Sequence, residues 1–219
     1  MNDFFGFVIT LVYIFALIAA AEGLRRWRGL PSDFTRKVVH IGVGMVMWAL
    51  PWLFSTPWPF VAACAGFMLL NFLDWKYGFF AAMASTDRSN LGTVYFPFAA
   101  GVCALLFWDR PRLMIAALMP LTWGDGLAPV VGRAVGWGRY TVAGHTRTLA
   151  GSLTFFAAAW VWTALALWLP PGPPEMAFIT AVRTAALVAG LTALVEAVSV
   201  RGVDNLTVTA AAIALLWRG

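Results

Sequence analysis

Apolar runs of nearly membrane-spanning length recur from one end of this chain to the other, and that recurrence restricts its fold more than any single motif. A helix needs about 20 mostly apolar residues to cross a hydrocarbon core about 30 Å thick. Eight apolar segments are legible, at about 4–21, 38–54, 58–73, 92–108, 111–132, 149–170, 177–198 and 204–217. The last is short for a span, and the fifth is interrupted by Gly124, Gly126 and Pro129. Of the 219 residues 61% are hydrophobic and 11% charged, whereas soluble domains carry about 25% charged residues. The expectation is an all-α polytopic membrane protein with about seven or eight transmembrane helices, one of them broken around residues 120–132. Residues 1–219 form a single membrane-embedded domain in this reading, with no segment polar and long enough for a soluble one. The first run has Asp3 and no Lys or Arg before it, so it is expected to be an uncleaved span rather than a signal peptide. Cys64 and Cys103 lie inside apolar runs without metal-ligand spacing and are expected to be small buried hydrophobes.

Basic residues orient such a chain, because cytoplasmic loops carry the excess of Lys and Arg. Arg25, Arg26, Arg28, Arg36 and Lys37 cluster between the first two segments, which places that loop in the cytoplasm. Eight alternating spans then put Lys76, Arg88, Arg133, Arg139, Arg147 and Arg201 on the same side, and Arg110, Arg112 and Arg218 on the other. Arg183 falls within a span, and both termini face outward. This orientation has a consequence for the chemistry. RKVVH, STDRSNLG, the long stretch from GDG to RTLAGS, and SVRGVDN all reach one membrane face. A site built from several helix ends would have this arrangement.

Asp125 stands between Gly124 and Gly126 in PLTWGDGLAPVVG, a window with too many helix breakers for an ordinary span. Irregular backbone at membrane depth is tolerated only where protein or a water-filled cavity satisfies it. A buried carboxylate needs a cation or a metal, and its hard oxygens suit Mg2+. Capping of the following half-helix is the plainer role. The next stretch, GRAVGWGRYTVAGHTRTLAGS, sets Gly132, Arg133, Gly136, Arg139, Arg147, Thr148 and Ser152 in one polar loop. Glycines let backbone N–H groups close around phosphate oxygens, and arginines pair with them. Thr148 to Ser152 also opens the next span, where a helix N-terminus favours anions. Arg36, His40 and Gly44 recur every fourth residue beside Lys37, lining one helix face that either contacts phosphate or is a snorkelling interfacial cluster with a hydrogen-bonded His, with Gly44 admitting a neighbouring helix. Asp87, Arg88, Asn90 and Gly92 precede or open the fourth span as ligands or caps. Glu196, Asp204 and Asn205 either complete a metal shell or serve as an interfacial acid and a helix cap. The twelve tryptophans mostly sit near span ends, as interfacial belts do. Together these groups suit phosphoryl or nucleotidyl transfer to a lipid, chemistry that rests on positioning and charge neutralisation.

Five motifs in order, TRKVVHIGVG (35–44), SNLGTVYFP (89–97), GDGLAPVVGRAVGWGRY (124–140), RTLAGS (147–152) and EAVSVRGVDNLTV (196–208), resemble the CTP-dependent isoprenoid-alcohol kinases. That family includes phytol, farnesol and dolichol kinases and is related to the phosphatidate cytidylyltransferases. The resemblance runs from about residue 35 to 213. It implies Mg2+-dependent transfer of the γ-phosphate of CTP to a long-chain alcohol such as phytol, farnesol or geranylgeraniol. Asp125, Glu196 and Asp204 would then be catalytic or metal-binding groups. Arg36, Lys37, His40, Gly124, Gly126, Gly132, Arg133, Gly136, Arg139, Arg147, Thr148, Ser152 and Asn205 would hold the nucleotide and its phosphates. The family commonly has Lys where this chain has Arg147, before Thr148. Ala150 stands where the cytidylyltransferases have Glu, which favours the kinase branch. The compact chain and its GDG motif are nearer to phytol kinases than to the longer dolichol kinases. The expected partners are CTP, an isoprenoid alcohol and membrane lipids, with no nucleic acid. The expected location is a prokaryotic cytoplasmic membrane, with the site facing the cytoplasm. The alternatives are a nucleotidyltransferase acting on a phospholipid and a membrane lipid transporter. The second is disfavoured by the lack of an inverted repeat and by the gathering of polar motifs on one face.

Overall fold

The computed structural model describes residues 2–79, 90–142, 144–169, 171–199 and 202–217. Asp87, Arg88, Arg201 and Arg218 lie outside the described residues. Helices account for nearly all of the structure, in the order α1 (Asp3–Arg28), α2 (Ser32–Gly44), α3 (Val46–Leu53), α4 (Trp58–Tyr77), α5 (Gly92–Phe107) and α6 (Pro111–Met119). A π-helical segment, Pro120–Asp125, leads directly into α7 (Gly126–Val135). Strands β1 (Arg139–Val142) and β2 (His145–Thr148) follow, then α8 (Leu149–Trp168), α9 (Phe178–Val198) and α10 (Asp204–Leu216).

All eight apolar segments of the sequence become helix. Five runs are long and apolar enough to cross a membrane: α1, α4, the continuous helical run Pro111–Val135, α8 and α9. The helices α5 and α10 are apolar but shorter, and the second segment is divided between α2 and α3 at Gly44–Met45. Local chemistry sets the ends. The Asn2 side chain accepts from Phe4 N at 3.0 Å to start α1, which ends on Gly29 at φ 64° with Arg25, Arg26 and Arg28 in its last turn. Those cations complement the negative end of the helix dipole.

The run from Pro111 to Val135 is the axis of the bundle. Met114 to Met119 and Leu121 are wholly buried, while large apolar side chains of the outer helices, such as Val12, Val161, Leu187 and Leu194, are exposed. A chain with an apolar interior and an apolar perimeter is suited to lipid surroundings. The interruption expected around residues 120–132 is the π-helical segment, so the axis is widened rather than severed. Pro120 has no N–H to donate to the preceding turn, and π-bulges of this kind recur at functional sites. The hairpin is the one departure from an all-helical fold among the described residues. The β1 and β2 strands pair antiparallel from Arg139↔Thr148 to Val142↔His145, with Gly136 and Gly138 at φ 66° leading in and Gly144 at φ 81° in the turn.

Close approach of α2 to the axis depends on Gly44, where an added Cβ would lie 2.3 Å from Thr122 Oγ1. Gly66 on α4 has open space around it. Gly44→Ala is therefore expected to cost about 1–3 kcal/mol, and Gly66→Ala to stay within about 0.5 kcal/mol. Thermal unfolding of both variants in detergent checks this, and equal losses would contradict the packing described.

Candidate functional site

At the end of the bundle where α2 begins and α7 ends, one cavity of about 600 Å3 brings together residues from all four polar motifs. Its lining includes Arg36, Lys37 and His40 from α2, and Asn90 and Gly92 at the start of α5. Asp125, Gly132, Arg133 and Gly136 come from the axis, and Arg139, Arg147, Thr148 and Ser152 from the hairpin and the start of α8. Glu196 of α9 and Gly202, Asp204 and Asn205 at the α10 end complete this rim. Gly124 and Gly126 do not line it. An added Cβ at Gly124 would sit 3.0 Å from the Phe155 ring, and one at Gly126 would sit 2.6 Å from Ile41 Cγ1. Both glycines therefore let α8 and α2 approach the axis.

The centre of the site is an ion pair. Lys37 Nζ donates to Asp125 Oδ2 at 2.6 Å, and both residues are buried. His40 Nε2 lies 2.9 Å from the Leu121 carbonyl oxygen and 3.5 Å from Asp125 Oδ2. Since a carbonyl only accepts, Nε2 carries the proton. The Phe96 ring covers the other side of the imidazole, centroid to centroid at 4.3 Å. The Leu121 carbonyl lies in the π-helical segment.

A second charged pair closes the opposite wall. Arg147, on β2, donates to the Glu196 carboxylate and to the Ser199 carbonyl, which ties the hairpin to the end of α9. Tyr140 and Ser152 share a hydrogen bond of 2.7 Å between the hairpin and α8. Thr148 caps α8 by accepting from Gly151 N at 3.0 Å. The axis crosses α8 closely here, because an added Cβ at Gly132 would meet Thr148 Oγ1 at 2.7 Å. Asp33 pairs with Arg36 at 3.3 Å and with Arg133 at 3.5 Å, holding two guanidinium groups at the rim. Arg133 and Arg139 are exposed, so cationic groups meet a solute before the buried pairs do.

Of the three acids in the cavity, Asp204 has no ion-pair partner among the described residues. Its Oδ1 accepts from the Asn205 backbone N and Nδ2, both at 2.9 Å. The Asn205 amide oxygen is buried without a hydrogen-bond partner, a cost avoided when a ligand or cation reaches it. No cluster of three His, Cys, Asp or Glu side chains poised for a metal exists among the described residues.

Away from this rim the lining becomes apolar. Ile14 and Ile18 of α1, Val43 and Met47 of α2 and α3, Cys64 and Phe67 of α4, and Phe96 and Ala100 of α5 carry the cavity into the bundle. Sequence reasoning missed this arm, since its residues look like any helix core. It also missed Asn71, which lines the cavity and donates to the Thr93 carbonyl at 2.7 Å. A lone amide in the apolar run 58–73 was a usable signal for it. Cys64 and Cys103 are buried free thiols, as expected.

Removing the cation from the central pair leaves Asp125 buried and uncompensated. Lys37→Met is expected to lower stability by about 3 kcal/mol, and Lys37→Met combined with Asp125→Leu to recover most of it. Denaturant unfolding in detergent decides this. A double variant less stable than the single one would show that the two groups do not act as a pair.

The geometry can be set beside known proteins. The chain is 31% identical over 215 residues to the phytol kinase of Synechocystis sp., covering 96% of this chain and 90% of that protein. It is 28% identical to a probable chloroplastic phytol kinase of Triticum aestivum over 89% of this chain and 70% of that one. It is 26% identical to probable phytol kinase 1, chloroplastic, of Oryza sativa subsp. japonica, over 89% and 67%. No family model matches the chain, and no solved structure matches it significantly. The likeness to the Synechocystis protein runs nearly end to end, and on that footing the chain belongs to the phytol kinase family.

Proposed function

We propose that the chain is a Mg2+-dependent lipid kinase that transfers the γ-phosphate of CTP to an isoprenoid alcohol, phytol, farnesol or geranylgeraniol. The whole of residues 1–219 acts as one catalytic unit, with the mouth of the cavity facing the cytoplasm of a prokaryotic membrane. The observation that carries this reading is a continuous cavity whose lining is cationic at its mouth and apolar within. A charged nucleotide and a hydrocarbon alcohol have opposite solubilities, and such a cavity lets them meet.

The residues present fit a magnesium ion. The Asp204 carboxylate and the buried, unpartnered amide oxygen of Asn205 are both hard oxygen donors lining the cavity, and Mg2+ commonly takes one or two carboxylates together with substrate phosphates. When bound, the ion neutralises phosphate charge. The chain's own groups do the rest. Arg36, Arg133 and Arg139 at the rim attract the triphosphate and can pair with its oxygens, whereas the N–H groups of the first turn of α8 are already taken by Gly138, Trp137 and Thr148. Lys37 and Arg147 are held in place by Asp125 and Glu196, so their positive charge needs no reorganisation when phosphate arrives. The alcohol lies along the apolar arm with its hydroxyl at the mouth. Its oxygen forms a bond to the γ-phosphorus as the bond to the β-phosphate oxygen breaks, CDP leaves, and the hydroxyl proton passes to a carboxylate of the mouth.

The test uses purified protein in detergent with Mg2+, phytol or geranylgeraniol, and nucleotide labelled on its γ-phosphate. Labelled lipid phosphate with CDP left behind is expected, lost on chelation and weaker with ATP or GTP. Absence of labelled lipid from every alcohol would contradict the kinase reading, and equal labelling from all three nucleotides would contradict CTP preference.

Asp125→Asn keeps a hydrogen-bond acceptor for Lys37 but leaves its charge uncompensated; in protein shown to be folded by size exclusion and thermal unfolding, turnover should fall by at least about a hundredfold. Near wild-type turnover would remove Asp125 from the machinery. Arg147 reaches its two acceptors through two different nitrogens, a fork that the single nitrogen of a lysine cannot reproduce. Arg147→Lys should keep part of the activity and Arg147→Ala should lose more. Equal losses would mean that the fork geometry, rather than the charge, is what the site requires.

A further inference from the structure

The apolar arm has a depth and a floor. Along α4 its lining residues are Phe60, Ala63, Cys64, Phe67 and Asn71, a single helix face. At 1.5 Å of rise per residue the arm is roughly 16 Å deep from Asn71 to Phe60, the extended length of about three to four isoprene units. Thr10, Ile14 and Ile18 follow the same course on α1 at every fourth residue.

Beyond Thr10 and Phe60 the bundle closes. An added Cβ at Gly6 would lie 2.1 Å from the Leu53 carbonyl oxygen, so α1 and the end of α3 touch there. The Phe60 ring faces Phe54 with centroids 6.4 Å apart. Met47 is almost wholly buried, and the Thr10 hydroxyl is satisfied by the Gly6 carbonyl at 2.9 Å. The floor is therefore apolar, close-packed and without a free hydrogen-bond donor among the described residues. The arm is also continuous with the charged mouth, which fixes what can occupy it: a hydrocarbon tail whose polar head remains at the mouth.

We propose that this blind arm is a length gauge for the isoprenoid tail, with Phe60 and Met47 as its floor and Ala63 and Ala100 as the small residues that keep its lower part open. The inference rests on the kinase reading and goes beyond it by assigning chain-length selection to these four residues. A tail of about four units reaches the floor with its hydroxyl among the groups of the mouth. A longer tail cannot seat its hydroxyl there, and a short one leaves apolar volume empty. Both Ala63 and Ala100 are buried at the wall of the arm, so a larger side chain at either removes room from the lower part alone.

The experiment measures kcat/KM for alcohols of two, three, four and five isoprene units with wild type, Ala63→Phe and Ala100→Leu. Size-exclusion profiles and unfolding temperatures establish that each variant is folded. The ratio for four units over two units should fall by about tenfold or more in a folded variant. Phe60→Ala should move the ratio of five over four units upward. If Ala63→Phe fails to fold, Ala100→Leu on the facing helix decides the matter. Wild type inactive on every alcohol would sink the kinase reading and the gauge with it. Active wild type with unchanged length profiles in the folded variants would leave the kinase reading standing and overturn the gauge.

Discussion

The contact between Lys37 and Asp125 joins residues 88 positions apart and ties the start of the bundle to its axis at a buried point. Neither partner could be buried alone without a cost of several kcal/mol. The pair holds α2 against the axis where Gly44 and Gly126 let it come close, at the level where His40 meets the Leu121 carbonyl. It also prepares the site. A lysine already desolvated and aimed beside a carboxylate is a fixed charge, and fixed charge in a water-poor cavity is what phosphate chemistry uses.

The surrounding architecture serves that point. Gly44, Gly124, Gly126 and Gly132 each remove a side chain where another helix must come close, so α2 and α8 reach the axis. The π-helical segment offers a carbonyl to His40 at the same level. On the far wall the hairpin carries Arg147 to Glu196, which closes the mouth without filling it. The resulting space has two chemical halves. Arginines address an anion at the mouth, while the arm beneath them is as apolar as the bundle core. A chain in the phytol kinase family has a use for both halves at once, since a water-soluble donor must meet an acceptor dissolved in the bilayer.

Much of this was legible before any coordinates. The eight apolar segments follow from span length, and the clustering of four polar motifs at one end follows from the charge rule that orients them. Asp125 was recognisable as a costly residue, whereas Lys37 was read within a cytoplasmic basic cluster, and nothing in one sequence says that the two meet. The π-helical segment was legible only as too many helix breakers around Asp125, because proline and glycine signal disturbance without specifying its form. The hairpin was read as loop. Its alternation is short, and glycines at 136, 138 and 144 suit a phosphate loop as well as a turn. Gly124 and Gly126 were assigned to the nucleotide through the family resemblance of the GDG motif, and the structure has them against Phe155 and Ile41. The apolar arm was invisible because Cys64, Phe67 and Ala100 have no chemistry to distinguish lining a cavity from filling a core.

The central claim is that one cavity holds the nucleotide at its charged mouth and the alcohol in its apolar arm. The most direct measurement is photo-crosslinking with an isoprenoid alcohol carrying a diazirine near its terminal carbon, with the modified residues mapped by mass spectrometry. The account predicts labels at the inner ends of α1 and α4, around Ile14, Phe60 and Cys64, competed away by unlabelled alcohol. Labels confined to the exposed outer faces of α8 and α9, unaffected by competitor, would contradict it.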